Sequence, residues 1–169
     1  MSNLVLHLTS PQRLWLLGLL ILWAMLLFGG FAFGSDPEKR YRRMPVWTRM
    51  ASSATLVLAA WSWWLFVQHT GAGNYALLIA VGMSFGFLGD LAMAKLLPIR
   101  NRVAGGIASF GIGHLFYIAA LVGFGNLVGL DDAGARWGSV AVWWLLGLVG
   151  WWLIVYRGQD ATPLHWAAL

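Results

Sequence analysis

Apolar residues run through this chain in long blocks separated by short polar stretches. Five blocks are long enough to cross a hydrocarbon core of ~30 Å, which takes about 20 helical residues at ~1.5 Å each. The pattern predicts spans over residues 14–34, 45–67, 74–97, 103–127 and 137–156. The first is preceded by Arg13, but it exceeds the ~7 to 15 residues of a signal-peptide core, and further spans follow it. It therefore reads as a retained anchor. Near the end, Thr162-Pro163 has the form of an N-cap and a first helical residue, and Leu164, Trp166, Ala167, Ala168 and Leu169 begin another apolar run that stops at once. A sixth span is expected to start over residues 163–169, in a sequence that is a fragment or that closes in a short interfacial segment. The expected fold is all-α, a single membrane domain over residues 1–169 built as a polytopic transmembrane helix bundle, with five spans and the start of a sixth. No internal repeat is visible, so an inverted-repeat transporter gains no support.

Composition agrees with a fold solved in lipid. Of 169 residues, 60% are apolar and 10% charged, and the mean hydropathy is +0.71, where a soluble domain carries about 25% charged residues. Too few polar side chains exist to cover a water-facing surface. There are no cysteines, which excludes disulfides and thiolate metal sites. His7, His69, His114 and His165 lie far apart without metal-ligand spacing, so no metal and no other cofactor is expected.

The net charge of +5 raises the question of nucleic acid, but the basic residues sit between apolar runs. They read as topology signals and contacts for anionic membrane lipids, and no nucleic-acid partner is expected. One set of alternate loops holds Lys39, Arg40, Arg42, Arg43, Arg49, Lys95, Arg100, Arg102 and Arg157; the other holds Arg13 and Arg136. The positive-inside rule then places the chain start outside and the Arg157 side in the cytoplasm, in what is expected to be a bacterial inner membrane. Trp61, Trp63 and Trp64 at the outer end of the second span, Trp137 at the outer start of the fifth and Trp47 on the inner side suit the headgroup zone.

An ionisable side chain inside a span costs several kcal/mol and points to a site facing the bundle interior. The third span holds Asp90 and the fourth His114. Gly82, Gly86 and Asp90 are spaced at four, so they share one helix face, and the glycines let a neighbouring backbone approach. Phe110, His114 and Tyr117 share a face of the fourth span by the same rule. Two antiparallel spans are thus expected to bring a carboxyl, an imidazole and a phenol into one pocket. Counted at ~1.5 Å per residue, Asp90 lies ~10 Å in from Leu97 and His114 ~18 Å in from Arg102, a difference that tilt or a bound substrate bridges. Taken singly, each residue also has a plainer reading: a carboxyl bonding a neighbouring helix, a histidine pairing with a hydroxyl or carbonyl, glycines that only pack. A proton-coupled carrier using Asp90 and His114 as a relay, or a non-catalytic scaffold packing through its glycine faces, are the alternatives to an enzyme. An enzyme acting on lipid should show a hollow open sideways to the bilayer near Asp90.

Gly89-Asp90 in one span, a basic loop, then Gly106, Phe110 and Gly113-His114-Leu115-Phe116-Tyr117 in the next resemble the YhhN-like lysoplasmalogenase family of membrane proteins. Met44-Pro45 with Arg49-Met50-Ala51-Ser52-Ser53 is similar to the start of that family's second span. The similarity covers roughly residues 43–123; family members usually have about eight spans, with a Ser-Asp pair in a later segment that this sequence does not reach. The resemblance implies hydrolysis of the vinyl ether bond of lysoplasmalogens to a fatty aldehyde and a glycerophospho-headgroup. Such ethers hydrolyse by protonation at carbon, which requires an acid still holding its proton, and hydrocarbon surroundings favour an uncharged carboxyl. On this resemblance Asp90 donates the proton, His114 orients or deprotonates water, and Tyr117 bonds the ether or glycerol oxygen. Arg49 or Arg102 meets the headgroup of the lysophospholipid, and Phe110 and Gly86 complete the substrate contacts.

Overall fold

A computed structural model describes residues 8–34, 44–130 and 132–153. The described residues form five α-helices and no strand: α1 (Ser10–Phe33), α2 (Val46–Val67), α3 (Gly73–Met93), α4 (Arg102–Leu127) and α5 (Ala133–Trp151). By length and composition α1 to α4 can each cross a bilayer. The chain divides into two units, residues 1–128 and 129–169, and α5 is described by itself.

Helix ends follow local chemistry that hydropathy alone does not read. The first span begins at Ser10 rather than residue 14, because the Thr9 backbone N–H donates to Gln12 Oε1 at 2.9 Å and Pro11 falls in the first turn, where its missing N–H costs nothing. Asn101 caps α4, its side chain accepting from the Ala104 N–H at 3.1 Å.

The difference that bears on Asp90 is at the end of α3, expected at residue 97 but found at Met93. There the Lys95 N–H donates to the Ala92 carbonyl and the Leu96 N–H to the Leu91 carbonyl, with Lys95 at φ 67°. This is a Schellman ending with lysine at the left-handed position that glycine usually takes. Lys95→Gly is expected to raise stability by up to ~1 kcal/mol by removing the left-handed cost, and Lys95→Val to lower it by at least ~1 kcal/mol. Thermal unfolding of the purified protein in detergent measures both; a valine variant as stable as the glycine variant would show that the backbone does not hold this conformation.

The helices α1 to α4 pack mainly on their neighbours in sequence, each antiparallel to the next, with the most extensive seam between α3 and α4. The interior is made of small residues: Ala60, Ala76, Ala80, Ala92, Ala120, Gly82, Gly89, Gly106 and Gly113 are buried. Large apolar side chains such as Leu14, Met25, Phe28, Leu115 and Ile118 lie outside. In water this distribution is inside out. In lipid it is expected, since tails solvate leucine as well as a protein core does, and close approach of backbones supplies the attraction.

Hydroxyls inside such a protein must be satisfied, and α2 satisfies most of its own. Thr48 donates to the Pro45 carbonyl, Ser52 to Arg49 and Thr55 to Ala51, each at 2.8 Å. Two indoles tie the helices together across the seams: Trp15 Nε1 of α1 donates to Ser62 Oγ of α2 at 3.1 Å, and Trp61 Nε1 of α2 to Ser84 Oγ of α3 at 3.0 Å.

In the second unit, Asp132 caps α5, its Oδ1 accepting from Gly134 at 2.8 Å and Ala135 at 3.3 Å, and Arg136 Nη2 donates to the Leu130 carbonyl at 2.9 Å. The helix starts four residues before the expected span and carries Arg136, Ser139 and several tryptophans, which lower its hydropathy; it is not among the helices that meet the length and composition of a span. Residues 154–156, with which the fifth span was expected to end, and 163–169, the expected start of a sixth, lie outside the described residues, as does Arg157.

Candidate functional site

The antiparallel order puts the start of α2, the end of α3 and the start of α4 at one end of the first unit. Arg49, Lys95, Arg100 and Arg102 all belong to that end, which is called the basic end below. Asp90 belongs to it too. Because α3 stops at Met93, the carboxyl lies in the last turn, ~5 Å from the helix end at ~1.5 Å per residue, not the ~10 Å expected from a span reaching residue 97.

Asp90 is held from α2. Ser53 donates its hydroxyl hydrogen to Asp90 Oδ2 in a part-buried bond between the two helices. Oδ1 has no hydrogen-bond partner among the described residues. One turn of α2 nearer the helix start, Arg49 Nε is buried without a hydrogen-bond partner, an unusual condition for a guanidinium nitrogen, since a buried donor left unpaired costs about 1–3 kcal/mol or more.

The α3–α4 seam fixes what lies deeper. Phe110 covers Gly89, its ring atoms 2.9–3.0 Å from where a Cβ on that glycine would be, and Met93 covers Gly106 in the same way at 2.8 Å. Tyr117 lies across Gly82, where an added Cβ would meet the ring at 2.5 Å. Its hydroxyl extends toward Gly86, the glycine one turn before Asp90. At Gly86 itself an added Cβ would meet nothing nearer than that hydroxyl, at 4.0 Å. Space thus remains on α3 between the phenol and the turn that carries the carboxyl, and the Tyr117 Oη has no hydrogen-bond partner among the described residues.

The structure brings some of the expected site residues together and separates others. The Tyr117 hydroxyl of α4 reaches Gly86, one turn of α3 before Asp90. His114 does not join them: it is exposed, its Nδ1 lies 2.7 Å from the Phe110 carbonyl, and its ring meets Tyr117 edge-on at 5.9 Å between centroids. A carbonyl only accepts, so Nδ1 carries a hydrogen and the ring braces Tyr117 from the outer side. Of the expected group of carboxyl, imidazole and phenol, Asp90 bonds Ser53 of α2, Tyr117 lies across Gly82 toward Gly86, and His114 is exposed. Phe110 is half-buried, its ring covering Gly89. Arg102 is the exposed first residue of α4, at the basic end but on its rim. Ser53 was not anticipated. The signal was present, because a serine eight residues into one expected span and an aspartate seven residues from the end of the next stand at similar depths from the same surface.

A cavity of about 260 Å³ lies at the other end of the α3–α4 pair, lined by Gly71, Asn74, Tyr75, Ala120 and Phe124 among others. It is some 15 residues of α3 away from Asp90 and belongs to a different surface. Among the described residues no group of three or more His, Asp or Glu side chains is placed to hold a metal ion.

Helices with small residues inside and large apolar ones outside, four of them long and apolar enough to span a bilayer, with a carboxyl and an unpaired guanidinium nitrogen near one end, define a polytopic α-helical membrane protein. The chain belongs to the YhhN family, whose family model matches residues 44–167, a segment that takes in α2 to α5 and every residue of this site. No curated protein and no solved structure matches the chain.

Proposed function

We propose that this chain is a membrane-embedded hydrolase that cleaves the vinyl ether bond of lysophospholipids, releasing a fatty aldehyde and a glycerophospho-headgroup. The observation that carries the reading is the place of Asp90: a carboxyl in the last turn of a membrane helix, one turn from the open space at Gly86 and level with the start of α2. In a lysophospholipid the vinyl ether lies just below the headgroup, separated from the phosphate by the three glycerol carbons, a distance of roughly 5 Å. Arg49 precedes Ser53 by one turn of α2, ~6 Å of rise at ~1.5 Å per residue. A phosphate on the half-buried Arg49 guanidinium therefore sets the alkenyl ether beside Asp90. Arg102 adds charge at the rim.

The chemistry follows from that pose. Asp90 gives its proton to the alkenyl carbon one bond beyond the ether-bearing carbon, the double-bond electron pair forms the new C–H bond, and the ether oxygen shares the positive charge as an oxocarbenium ion. The carboxylate left behind faces that cation and stabilises it. Water adds to the cationic carbon and returns a proton to Asp90; the hemiacetal then breaks its bond to the glycerol oxygen as its hydroxyl becomes the aldehyde carbonyl, and the hydroxyl hydrogen passes to that oxygen, which leaves as an alcohol. Tyr117 borders the space over Gly86, one turn deeper than Asp90, which the alkenyl chain enters. His114 acts on Tyr117 through ring contact and not on water. In this reading the basic end faces the cytoplasm and substrate enters sideways from the inner leaflet.

The test is direct. Full-length protein in detergent or vesicles is incubated separately with an alkenyl lysophospholipid and with the ester analogue, and products are followed by mass spectrometry. Aldehyde from the alkenyl lipid, with no fatty acid from the ester, is the expected result; fatty acid from the ester at a comparable rate would replace the ether hydrolase with a lysophospholipase, and no product from either would remove the enzyme reading.

A further inference from the structure

Four hydroxyls in the first three turns of α2 look alike in sequence, and their hydrogens do not go to the same kind of acceptor. Thr48, Ser52 and Thr55 donate to carbonyls three or four residues back on their own helix, the usual way a hydroxyl is satisfied inside a membrane helix. Ser53 donates instead to Asp90 Oδ2 of α3. Its neighbour Ser52 is more deeply buried, so depth does not explain the difference; the acceptor does.

We propose that Ser53 is the positioning residue for Asp90, a role that rests on the hydrolase reading above. A carboxylic acid has two oxygens, and only the one bearing the hydrogen can give it up. With Oδ2 accepting from Ser53, the transferable hydrogen resides on Oδ1, the oxygen without a partner among the described residues. The bond also fixes the carboxyl plane against rotation about the Cβ–Cγ bond. After proton transfer the same hydroxyl remains on Oδ2 and shares the new negative charge, so no rearrangement is needed between the two states. Ser53 touches Asp90 and not substrate. Its contribution is to orientation, and a misplacement of about 1 Å at such a position costs up to ~10²-fold in rate.

The experiment compares Ser53→Ala, Ser53→Thr and Ser52→Ala in the full-length protein, with wild type and Asp90→Asn as references. Ser53→Ala is expected to lower kcat by about 10- to 100-fold with KM unchanged, because the lipid is bound by other groups. Ser53→Thr keeps the hydroxyl and is expected to recover most of the rate. Ser52→Ala removes an equivalent hydroxyl one residue away and is expected to leave kcat alone. Infrared difference spectra supply a readout independent of turnover: the carboxyl band assigned by its loss in Asp90→Asn should shift in Ser53→Ala and stay in Ser52→Ala. Wild-type protein that releases no aldehyde overturns the hydrolase reading and this role with it. Wild-type activity that is lost in Asp90→Asn but kept in Ser53→Ala overturns the Ser53 role alone. So does equal loss in Ser53→Ala and Ser53→Thr, which would mark a packing position.

Discussion

Replacing Asp90 by Asn is expected to lower aldehyde release from an alkenyl lysophospholipid by about 10³-fold, the middle of the range for removing a general acid. The substitution keeps shape and hydrogen bonding, since the amide oxygen accepts from Ser53 as Oδ2 does, and it removes only the acidic hydrogen. Stability should therefore hold and lipid binding should persist, placing the loss in kcat. Protonation of a vinyl ether at carbon is slow because a C–H bond forms while charge builds on oxygen. Neither Tyr117 nor Ser53 is acidic enough to replace a carboxylic acid in that step. Single-turnover measurements with saturating lipid separate binding from chemistry. An asparagine variant with the wild-type single-turnover rate would leave Asp90 as a helix-joining residue and nothing more.

The spans were legible because a helix in lipid needs one property above all, an unbroken apolar length, and hydropathy measures it. Four of the five expected spans correspond to helices of spanning length and composition, with starts and ends displaced by caps. The displacement at α3 mattered most. Lys95 at φ 67° ends the helix at a residue type that rarely takes that conformation, so the sequence offered no glycine to mark the stop, and Asp90 was read as deeper than it is. The site was legible in part for a related reason. Spacing of three and four put Phe110 and Tyr117 along the side of α4 that meets α3, where Tyr117 covers Gly82 and reaches Gly86; Asp90, grouped by the same spacing with those glycines, bonds Ser53 of α2. Spacing cannot say which member of a stripe reaches the partner helix. His114, between Phe110 and Tyr117, turns outward, while Tyr117 lies across Gly82. Nor does periodicity within one helix reveal a bond between two, which is how Ser53 was passed over.

The seam that holds Tyr117 against α3 predicts a large effect on stability. Gly113 of α4 is buried, and a Cβ there would lie 2.9 Å from the Gly82 carbonyl oxygen and 3.4 Å from the Phe85 Cβ. The first of these is backbone, which no rotamer change can move aside, so the helices must separate. Gly113→Ala is expected to destabilise the protein by about 2 kcal/mol, as overpacking does, and Gly113→Leu by more. Two glycines act as controls. Gly111, on the outer side of the same helix, has nothing within 4 Å of an added Cβ, and Gly86 has only the Tyr117 hydroxyl at 4.0 Å. Alanine at Gly111 is expected to be neutral or to add up to ~1 kcal/mol through helix propensity, and alanine at Gly86 to be similarly tolerated by the fold. The three alanines therefore separate two uses of glycine that look identical in sequence. Gly113 is small so that backbones can touch, and loses stability when filled. Gly86 is small where space is left open, and should keep its stability while turnover falls as the methyl enters the room proposed for the lipid. Unfolding in mixed detergent, followed by tryptophan fluorescence, gives the order of stability. Gly113→Ala as stable as Gly111→Ala would mean that α3 and α4 do not pack in this register, and the placement of Tyr117 beside Gly86 would fall with it.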